Sequence, residues 1–310
     1  MDDHGHRPVL AREVLDLLAP KPGEVALDCT VGRGGHAQLL AKAVGPEGRI
    51  IGVDLDESCL EHARRRLATA PGRFTGIHAS YAAAPRRLAE LGLSAHVVLA
   101  DLGFSSSQMD DPSRGFSLHG DGPLDMRFDR NSGATATELL AALSQRELAD
   151  LIYELGEEPL ARKIARKLVQ TRQSKPIQST AELARLVVEA YGPRARTSRM
   201  HPATRTFMAL RIAVNDELGA LEALLDGIVR GAEQAGDGGW LRSEARVAII
   251  SFHSLEDRLV KRAFAELEKR GRATRLTKKP VTAGAQEVQA NPRSRSAKLR
   301  AVRIHGPQGG

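Results

Sequence analysis

The stretch Asp28-Cys-Thr-Val-Gly-Arg-Gly-Gly-His36 decides the fold of this chain of 310 residues. A short apolar run, Val25–Leu27, precedes it, and the segment Ala37–Ala43 has its apolar residues at helical spacing. This order predicts a strand, a glycine turn and a helix. Glycines at 32, 34 and 35 lack the Cβ atoms that keep a ligand away from the backbone. Because a helix start also offers unpaired N–H groups, the stretch predicts a ligand site there.

A carboxylate after the next strand narrows the class of ligand. Asp54 ends the apolar run Arg49–Val53, about 20 residues beyond the glycine turn, where an acid is placed to bind ribose hydroxyls. The glycines read G-x-G-G after Asp28, whereas a dinucleotide fingerprint reads G-x-G-x-x-G. The pattern is closer to the D-x-x-x-G-x-G of S-adenosylmethionine-dependent methyltransferases, whose cofactor carries a cationic sulfonium and an ammonium. A plain glycine loop and a nicotinamide-dependent oxidoreductase are the alternatives.

Strands and helices alternate through the first third of the chain. The predicted strands are 25–29, 49–54, 73–78 and 95–101, and the predicted helices are 7–19, 36–43, 57–69 and 85–91. Such alternation indicates an α/β fold, a Rossmann-like parallel sheet with helices on both faces. Ligands of these sheets bind beyond the carboxyl ends of the strands. Asp28, Asp54, Tyr81 and Asp101 lie at the carboxyl ends of predicted strands, so we expect them at the site.

The alternation breaks after Asp101. Residues 104–133 have a loop-like composition, and only helical patterns follow before the strand predicted at 246–251. We therefore predict a methyltransferase domain that an all-helical, RNA-facing insert interrupts. The predicted domain consists of residues 1–111 and 209–310, and the predicted insert of residues 112–208.

The later elements are predicted from capping residues and apolar runs. Thr137, Ser144 and Thr180 are candidate helix N-caps because an acid follows each of them closely. A single long helix at about 203–232 leads back to the sheet, with Pro202 near its first turn. A loop at 272–297 and a final strand at 298–304 complete the predicted order.

Charge is concentrated in two windows. The chain carries a formal net charge of +7, but residues 161–211 hold 12 Lys and Arg against two acids, and residues 261–303 hold 13 against three. Two basic windows favour a polyanion such as RNA over ordinary solvated helix faces. Aromatic residues are only 4% of the chain, so phosphate contacts should outweigh base stacking. Candidate contacts are Arg127, Arg199, Arg205, Arg293 and Arg295.

Two further residues are candidates for the chemistry. Asp101 closes the fourth strand, where an acceptor for N–H hydrogens would assist an exocyclic amine whose lone pair is delocalised into its ring. His253 follows the strand at 246–251 and either contacts substrate or supports the loop, with Ser254 predicted as the next N-cap. The sequence shows no zinc, Walker A or Ser-His-Asp spacing, so we expect no metal.

Longer motifs resemble the ribosomal RNA small subunit methyltransferase H family, from His6 to Ile304. The markers are Thr30-Val-Gly-Arg-Gly-Gly-His36, Asp101-Leu-Gly-Phe-Ser-Ser106, Asp121-Gly-Pro-Leu-Asp-Met-Arg127, His201-Pro-Ala-Thr-Arg205, Ser251-Phe-His-Ser-Leu-Glu-Asp-Arg258 and Asn291-Pro-Arg-Ser-Arg-Ser296. The resemblance implies S-adenosylmethionine-dependent N4-methylation of a cytidine in the decoding region of 16S ribosomal RNA. Including the residues argued above, the predicted cofactor residues are Asp28, Gly32, Gly34, Gly35, His36, Asp54, Tyr81, Asp101 and Gln108.

Partners and location follow from the same reading. We expect 16S ribosomal RNA or the small ribosomal subunit as partner and, since no apolar run approaches the ~20 residues of a membrane span, a cytoplasmic protein without a membrane contact. A homodimer is an option from base rates alone. The competing function is a non-catalytic RNA-binding module for ribosome assembly with a vestigial cofactor fold.

Overall fold

The computed structural model describes residues 8–118, 120–236 and 238–306; His6 and Arg7, where the resemblance begins, lie outside them. The chain divides into two compact units. The first consists of Met1–Gly103 and Leu218–Gly310, and the second of Phe104–Glu217. The insert that we predicted, 112–208, lies within the second unit, and we keep those bounds as a proposal. No helix in the described ranges is long and apolar enough to cross a membrane.

Seven strands form one sheet in the described part of the first unit, which confirms the predicted Rossmann-like α/β class. Their order is β3-β2-β1-β4-β5-β7-β6. The strands are β1 Val25–Asp28, β2 Arg49–Asp54, β3 Arg73–His78, β4 Ala95–Asp101, β5 Leu241–Ser251, β6 Ala273–Arg275 and β7 Lys298–Ile304. The strands β1 to β5 pair in parallel, and β7 is antiparallel to both of its neighbours. The carboxyl ends of β1, β2 and β4 therefore meet at one edge.

Alternating apolar residues build a separate core on each face of the sheet. In β4, Val97 and Leu99 join one core while Val98 and Ala100 join the other, as the period of two in a strand requires. Helices α1 Ala11–Leu18, α2 Gly35–Val44 and α3 Glu57–Leu67 cover the first face, and α4 Ala84–Glu90, α11 Glu217–Glu233 and α12 Ser254–Lys269 cover the second. Both faces are thus dry, which is why the strands read as nearly continuous apolar runs.

The second unit is helical around a third core. Its helices are α5 Ser106–Asp110, α6 Ala136–Ala142, α7 Gln145–Gly156, α8 Ala161–Arg172, α9 Thr180–Tyr191 and α10 Thr204–Asn215. Ser144 caps α7 as predicted, but the caps predicted at Thr137 and Thr180 are wrong: Thr135 and Ser179 cap α6 and α9. The Thr137 and Thr180 hydroxyls instead donate to the carbonyls of Leu124 and Gly120, at 3.1 and 2.9 Å, and so tie the preceding loop to both helices.

The predicted single helix at 203–232 is also wrong, because the chain turns between α10 and α11. Asp216 takes a left-handed conformation with φ of 47°, which a short polar side chain tolerates better than most. The Arg211 guanidinium spans this turn and binds the Glu217 carboxylate at 2.7 and 2.9 Å. The apolar spacing that runs through both helices hides this break in the sequence.

Two segments predicted as loops carry more structure than expected. In the second unit, Phe104, Phe116 and Phe128 stack with ring centroids 5.3 and 5.7 Å apart, and Arg114 donates to the carbonyls of Arg127 and Phe128 at 3.0 and 2.8 Å. In the first unit, the segment 272–297 contains β6, the helix α13 Ala285–Ala290 and a 3₁₀ turn, Pro292–Ser296. Neither segment had the periodicity that would have predicted this order.

Candidate functional site

The glycine turn after β1 gives its three glycines different tasks. Gly32 has φ of 49°, and a Cβ placed on it would meet only the Thr30 carbonyl at 3.9 Å, so that side of the turn is open. Gly34 has φ of 81°, and its Cβ would come within 3.3 Å of Ala63 in α3. A Cβ on Gly35 would lie 3.1 Å from Pro8. Packing therefore accounts for Gly34 and Gly35, whereas no such contact among the described residues accounts for Gly32.

Asp54 holds the glycine turn against the end of β2. Its carboxylate accepts the N–H of Gly32 at 2.8 Å and the N–H of Asp56 at 2.9 Å. Burial raises the pKa of Asp54 to about 6, and the nearby charge of Asp56 adds to this, while the backbone hydrogen bonds oppose it. Each carboxylate oxygen has a second lone pair, so Asp54 can still accept hydrogen bonds from ribose hydroxyls.

Asp28 lies at the end of the neighbouring strand, β1. It accepts the N–H of Thr30 at 3.2 Å, and no hydrogen-bond partner for its second oxygen, Oδ2, is found among the described residues. Burial raises the pKa of Asp28 to about 7, and the Asp54 charge contributes in the same direction. An unpartnered carboxylate oxygen in a dry position is costly, and a cationic ligand would relieve that cost.

Asp101 ends β4 beside the same turn. Its N–H donates to Thr30 Oγ1 at 2.6 Å, and its Oδ2 lies 3.7 Å from His36 Nε2 in the first turn of α2. Burial, followed by the charges of Asp28 and Glu256, raises the pKa of Asp101 well above its ordinary value. The side chain as a whole remains 22% exposed although its Oδ1 is buried, so a substrate could reach only part of it. No partner for Asp101 Oδ1 is found in the part of the chain that the structure describes.

These side chains form what we call the carboxylate edge: Asp28, Asp54 and Asp101 around the turn at Gly32. Each carboxylate is desolvated, and like charges raise the pKa of Asp28 and Asp101 further. Protonation or a nearby positive charge are the two ways to relieve such a cluster. The sulfonium and ammonium of S-adenosylmethionine supply that charge, and a ribose suits Asp54, so the residues present fit this cofactor.

His253 is the N-cap of α12, so the cap predicted at Ser254, which is the first helical residue, is wrong. Its Nε2 lies 3.1 Å from Glu256 Oε1, and Glu256 Oε2 accepts the N–H groups of Phe252 and His253 at 2.8 and 3.3 Å. These contacts give His253 a role in shaping the loop after β5.

Thr30 and Glu256, which the sequence reasoning did not select, act on Asp101 through a hydrogen bond and through charge. Both lie inside motifs that the resemblance had marked.

Two other predicted cofactor residues, Tyr81 and Gln108, have contacts within their own units. Tyr81 begins the 3₁₀ turn Tyr81–Ala83 after β3, where the N–H of Ala79 donates to the Asp54 carbonyl at 3.0 Å. Its half-buried ring packs against the core of the first unit. Gln108 belongs to the second unit, where its buried side chain accepts the N–H of Ser105 at 2.8 Å.

The five arginines proposed for RNA have different surroundings. Arg127 binds both oxygens of Asp125, at 2.8 and 2.9 Å, so its charge is largely occupied. Arg205 donates to the Glu157 carbonyl at 2.9 Å. Arg199 is exposed, and both arginines line one cleft in the second unit. Arg293 and Arg295 are exposed on the 3₁₀ turn Pro292–Ser296 of the first unit. Exposure therefore favours Arg199, Arg293 and Arg295 over Arg127 as phosphate contacts.

Comparison with known proteins places this geometry in context. The family model described as "MraW methylase family" matches residues 3–305. The "Ribosomal RNA small subunit methyltransferase H" of Sorangium cellulosum is 51% identical over 302 residues, which cover 97% of this chain and 91% of the relative. The protein of the same name from a Geobacter species is 45% identical over 318 residues, with coverage of 97% and 99%. A solved structure titled as a putative rRNA-methylase from Clostridium thermocellum gives a TM-score of 0.44 at 10% identity over 98% of this chain and 99% of that one, too low to support any inference.

Proposed function

We propose, from the premise that this chain belongs to the MraW methylase family, that it methylates the N4 atom of a cytidine in the decoding region of 16S ribosomal RNA. The family match confirms the resemblance read from the motifs. The methyl donor is S-adenosylmethionine, and the broader activity is methylation of small-subunit ribosomal RNA. Membership in a methylase family also removes the nicotinamide-dependent alternative.

The carboxylate edge is the observation that carries this proposal. S-adenosylmethionine supplies, when bound, an electrophilic methyl group on a cationic sulfur. Asp54 would accept the ribose hydroxyls, Asp28 would offer its Oδ2 to the positively charged part, and Gly32 would admit the ligand close to the backbone. Tyr81 would contact the adenine, and His36 and Gln108 would complete the cofactor site by their positions in the family motifs.

Asp101 is the residue that we assign to the chemistry. The N4 lone pair of cytidine is delocalised into the ring, so an acceptor for the N4 hydrogens raises its nucleophilicity as positive charge develops. A nearby cation favours the carboxylate form of Asp101, which therefore becomes an acceptor when the donor site is filled. As the N4–CH3 bond formed and the S–CH3 bond of the donor broke to leave a neutral thioether, N4 would lose one proton to the Asp101 carboxylate, from whose exposed part that proton could pass to water.

The remaining tasks fall to residues that orient these groups. Thr30 accepts the backbone N–H of Asp101, which would position the acceptor before the substrate arrives, and His36 Nε2 lies 3.7 Å from the Asp101 carboxylate. We assign His253 to support of the loop after β5, through Glu256. Exposed arginines of both units would bind phosphates of the RNA. We propose a cytoplasmic location because ribosomal RNA is the proposed substrate. A homodimer stays an option.

One experiment separates this function from the competing one, a non-catalytic RNA-binding module. Labelled S-adenosylmethionine is offered with unmethylated small ribosomal subunits and, in parallel, with naked 16S RNA, and the digested nucleosides are identified by mass spectrometry. We expect N4-methylcytidine. Label in another nucleoside would overturn the target atom, and binding of both cofactor and RNA without transfer would favour the assembly module.

A further inference from the structure

A cleft in the second unit has the chemistry of an anion site. We call it the arginine cleft; it has a volume of about 330 Å³ and is lined by Tyr191, Ser198, Arg199, Met200, His201 and Arg205, together with one proline. The lining holds two guanidinium groups and no carboxylate. Arg194 and Arg196, exposed on the adjoining 3₁₀ turn Gly192–Thr197, add positive charge beside it. The cleft would therefore favour a negatively charged ligand.

The polar groups of the arginine cleft are arranged mainly as donors. Arg205 donates one N–H to the Glu157 carbonyl at 2.9 Å, which restrains the guanidinium while leaving other N–H groups on it. His201 Nδ1 accepts the N–H of Ala203 at 3.2 Å, which leaves Nε2 as the N–H donor of the ring. The Ser198 hydroxyl donates to the Met200 carbonyl at 2.6 Å. This bond takes the only proton of the Ser198 hydroxyl, so the donors left for a ligand are those of Arg199, Arg205 and His201. These donors suit the oxygens of a phosphodiester, which only accept.

The cleft also has an apolar part that a free phosphate would not need. The Tyr191 hydroxyl donates to Glu158 Oε2 at 2.7 Å. Because Glu158 is fully buried, this hydrogen bond fixes the position of the tyrosine ring. Burial, followed by this carboxylate, raises the pKa of Tyr191 to about 12, and the ring stays neutral. Met200 is 52% exposed, unusual for a large apolar side chain, and a thioether packs well against a planar ring. Hydrogen-bond donors that suit a phosphate, next to an apolar surface that suits a nucleoside, match the two parts of a nucleotide.

We propose that the arginine cleft binds one single-stranded nucleotide of the RNA substrate, with its phosphate on Arg199 and Arg205 and its nucleoside against Met200 and Tyr191. This deepens the proposed function and rests on it. A base in a helix is stacked and hidden, so the nucleotide taken here must be unpaired. The cleft thus contributes to selecting a single-stranded site in folded ribosomal RNA, as well as adding affinity.

The test compares three variants of the full chain. Arg199→Glu reverses a charge in the cleft, Met200→Ala removes the apolar surface, and Arg146→Glu reverses a 92% exposed charge of α7 in the same unit, outside the cleft. Binding to naked 16S RNA and to small subunits is measured against salt, with methyl-transfer kinetics alongside. We expect Arg199→Glu to weaken RNA binding about tenfold or more, since it replaces a charge-assisted phosphate contact by repulsion. Met200→Ala should weaken it about threefold, and Arg146→Glu by less than about twofold.

The outcomes separate the cleft from the proposed activity. Raised KM with nearly unchanged kcat and unchanged S-adenosylmethionine affinity, for both cleft variants, supports the cleft as a place of substrate binding. If both variants bind and methylate RNA like Arg146→Glu, the proposal is wrong. Weaker binding to subunits with unchanged binding to naked RNA would mean that the cleft contacts a ribosomal protein instead, which also overturns it. If the wild type binds RNA but transfers no methyl group, the proposed function fails, and the binding comparison alone decides the cleft.

Discussion

The carboxylate edge of the first unit and the arginine cleft of the second treat charge in opposite ways. Asp28, Asp54 and Asp101 are desolvated, and their pKa values are raised. Arg199 is exposed, and Arg205 keeps donors available. A small cation gains most from carboxylates that water does not screen, whereas a polyanion gains from exposed cations that release its counterions. The difference supports the proposals of a small cationic ligand at the carboxylate edge and of an RNA phosphate at the arginine cleft.

Among the substitutions that test this comparison, Asp101→Asn should have the largest effect, on the rate of methyl transfer. The amide keeps the size of the side chain but cannot take a proton, so we expect methyl transfer to fall about a hundredfold or more, within the range of a lost general base. Removing one of several like charges should leave folding stability equal or higher. Single-turnover methyl transfer, with a thermal melt as control, measures both. Transfer at the wild-type rate would show that Asp101 is not the acceptor.

Gly32 offers a test of the open side of the turn with a matched control. Gly32→Ala introduces a Cβ at a φ of 49° where the protein itself leaves room. Gly23→Ala has the same kind of strain, at a φ of 81° and with nothing within 4 Å, in the turn before β1. Each should lose about 1 kcal/mol of stability, and only Gly32→Ala should weaken S-adenosylmethionine binding, about tenfold or more, because a ligand close to the backbone leaves no space for a methyl group. Equal cofactor affinities in titration calorimetry would place the cofactor elsewhere.

The raised pKa values predict opposite effects of pH on the empty and filled protein. The pKa of Asp28 is raised to about 7 and that of Asp54 to about 6, whereas the unfolded chain titrates near the ordinary 3.8. From about pH 4 to about pH 7 the folded protein therefore holds more protons, and these groups make it less stable as the pH rises. A cationic cofactor prefers the carboxylates, so we expect its affinity to fall about tenfold from about pH 7.5 to about pH 5.5.

A variant without one of these acids provides the control for that pH dependence. Asp28→Asn should bind S-adenosylmethionine less tightly at neutral pH and should flatten the slope of affinity against pH, because one titrating group is gone. Calorimetric titrations at a series of pH values, with thermal melts of the unliganded protein, measure both parts. An unchanged slope in this variant would exclude Asp28 as the group that responds to the cofactor charge.

The smallest expected effects are on RNA affinity and stability, and they distinguish exposed arginines from an arginine that is paired with an acid. Arg293→Ala with Arg295→Ala should flatten the dependence of log RNA affinity on log salt by about 1.5, one phosphate per arginine, with no change in cofactor affinity. Arg127→Ala should instead cost about 1 kcal/mol of stability through loss of its pair with Asp125 and leave that slope unchanged. Salt titrations of RNA binding and denaturant melts check this. A reduced dependence of RNA affinity on salt in Arg127→Ala would show that Arg127 contacts RNA after all.

Much of the first unit could be predicted because its signals are local. The strands β2, β3, β4 and β7 have the predicted bounds. In β2 and β4 a run of apolar residues closed by an acid leaves little freedom in a sheet buried on both faces, and β3 and β7 alternate apolar with polar residues. The break at Asp216 and the pair of Arg127 with Asp125 could not be predicted in this way. The apolar spacing continues through the break at Asp216 without a mark. Asp125 and Arg127 are near neighbours in the chain, but their pairing requires the backbone of an irregular loop to place both side chains on one side, which no periodic pattern predicts.

The sequence alone determined the strand, turn and helix at Gly32, the acids at the strand ends and the two basic windows, because each is a pattern of neighbours along the chain. Only the tertiary structure decided which acids share one edge and lose their water, and which arginines remain exposed. Desolvation and pairing depend on groups far apart in the chain, such as Asp28 beside Asp101 or Glu256 near Asp101. A titrating group's charge state belongs to its surroundings, and those exist only once the chain has folded.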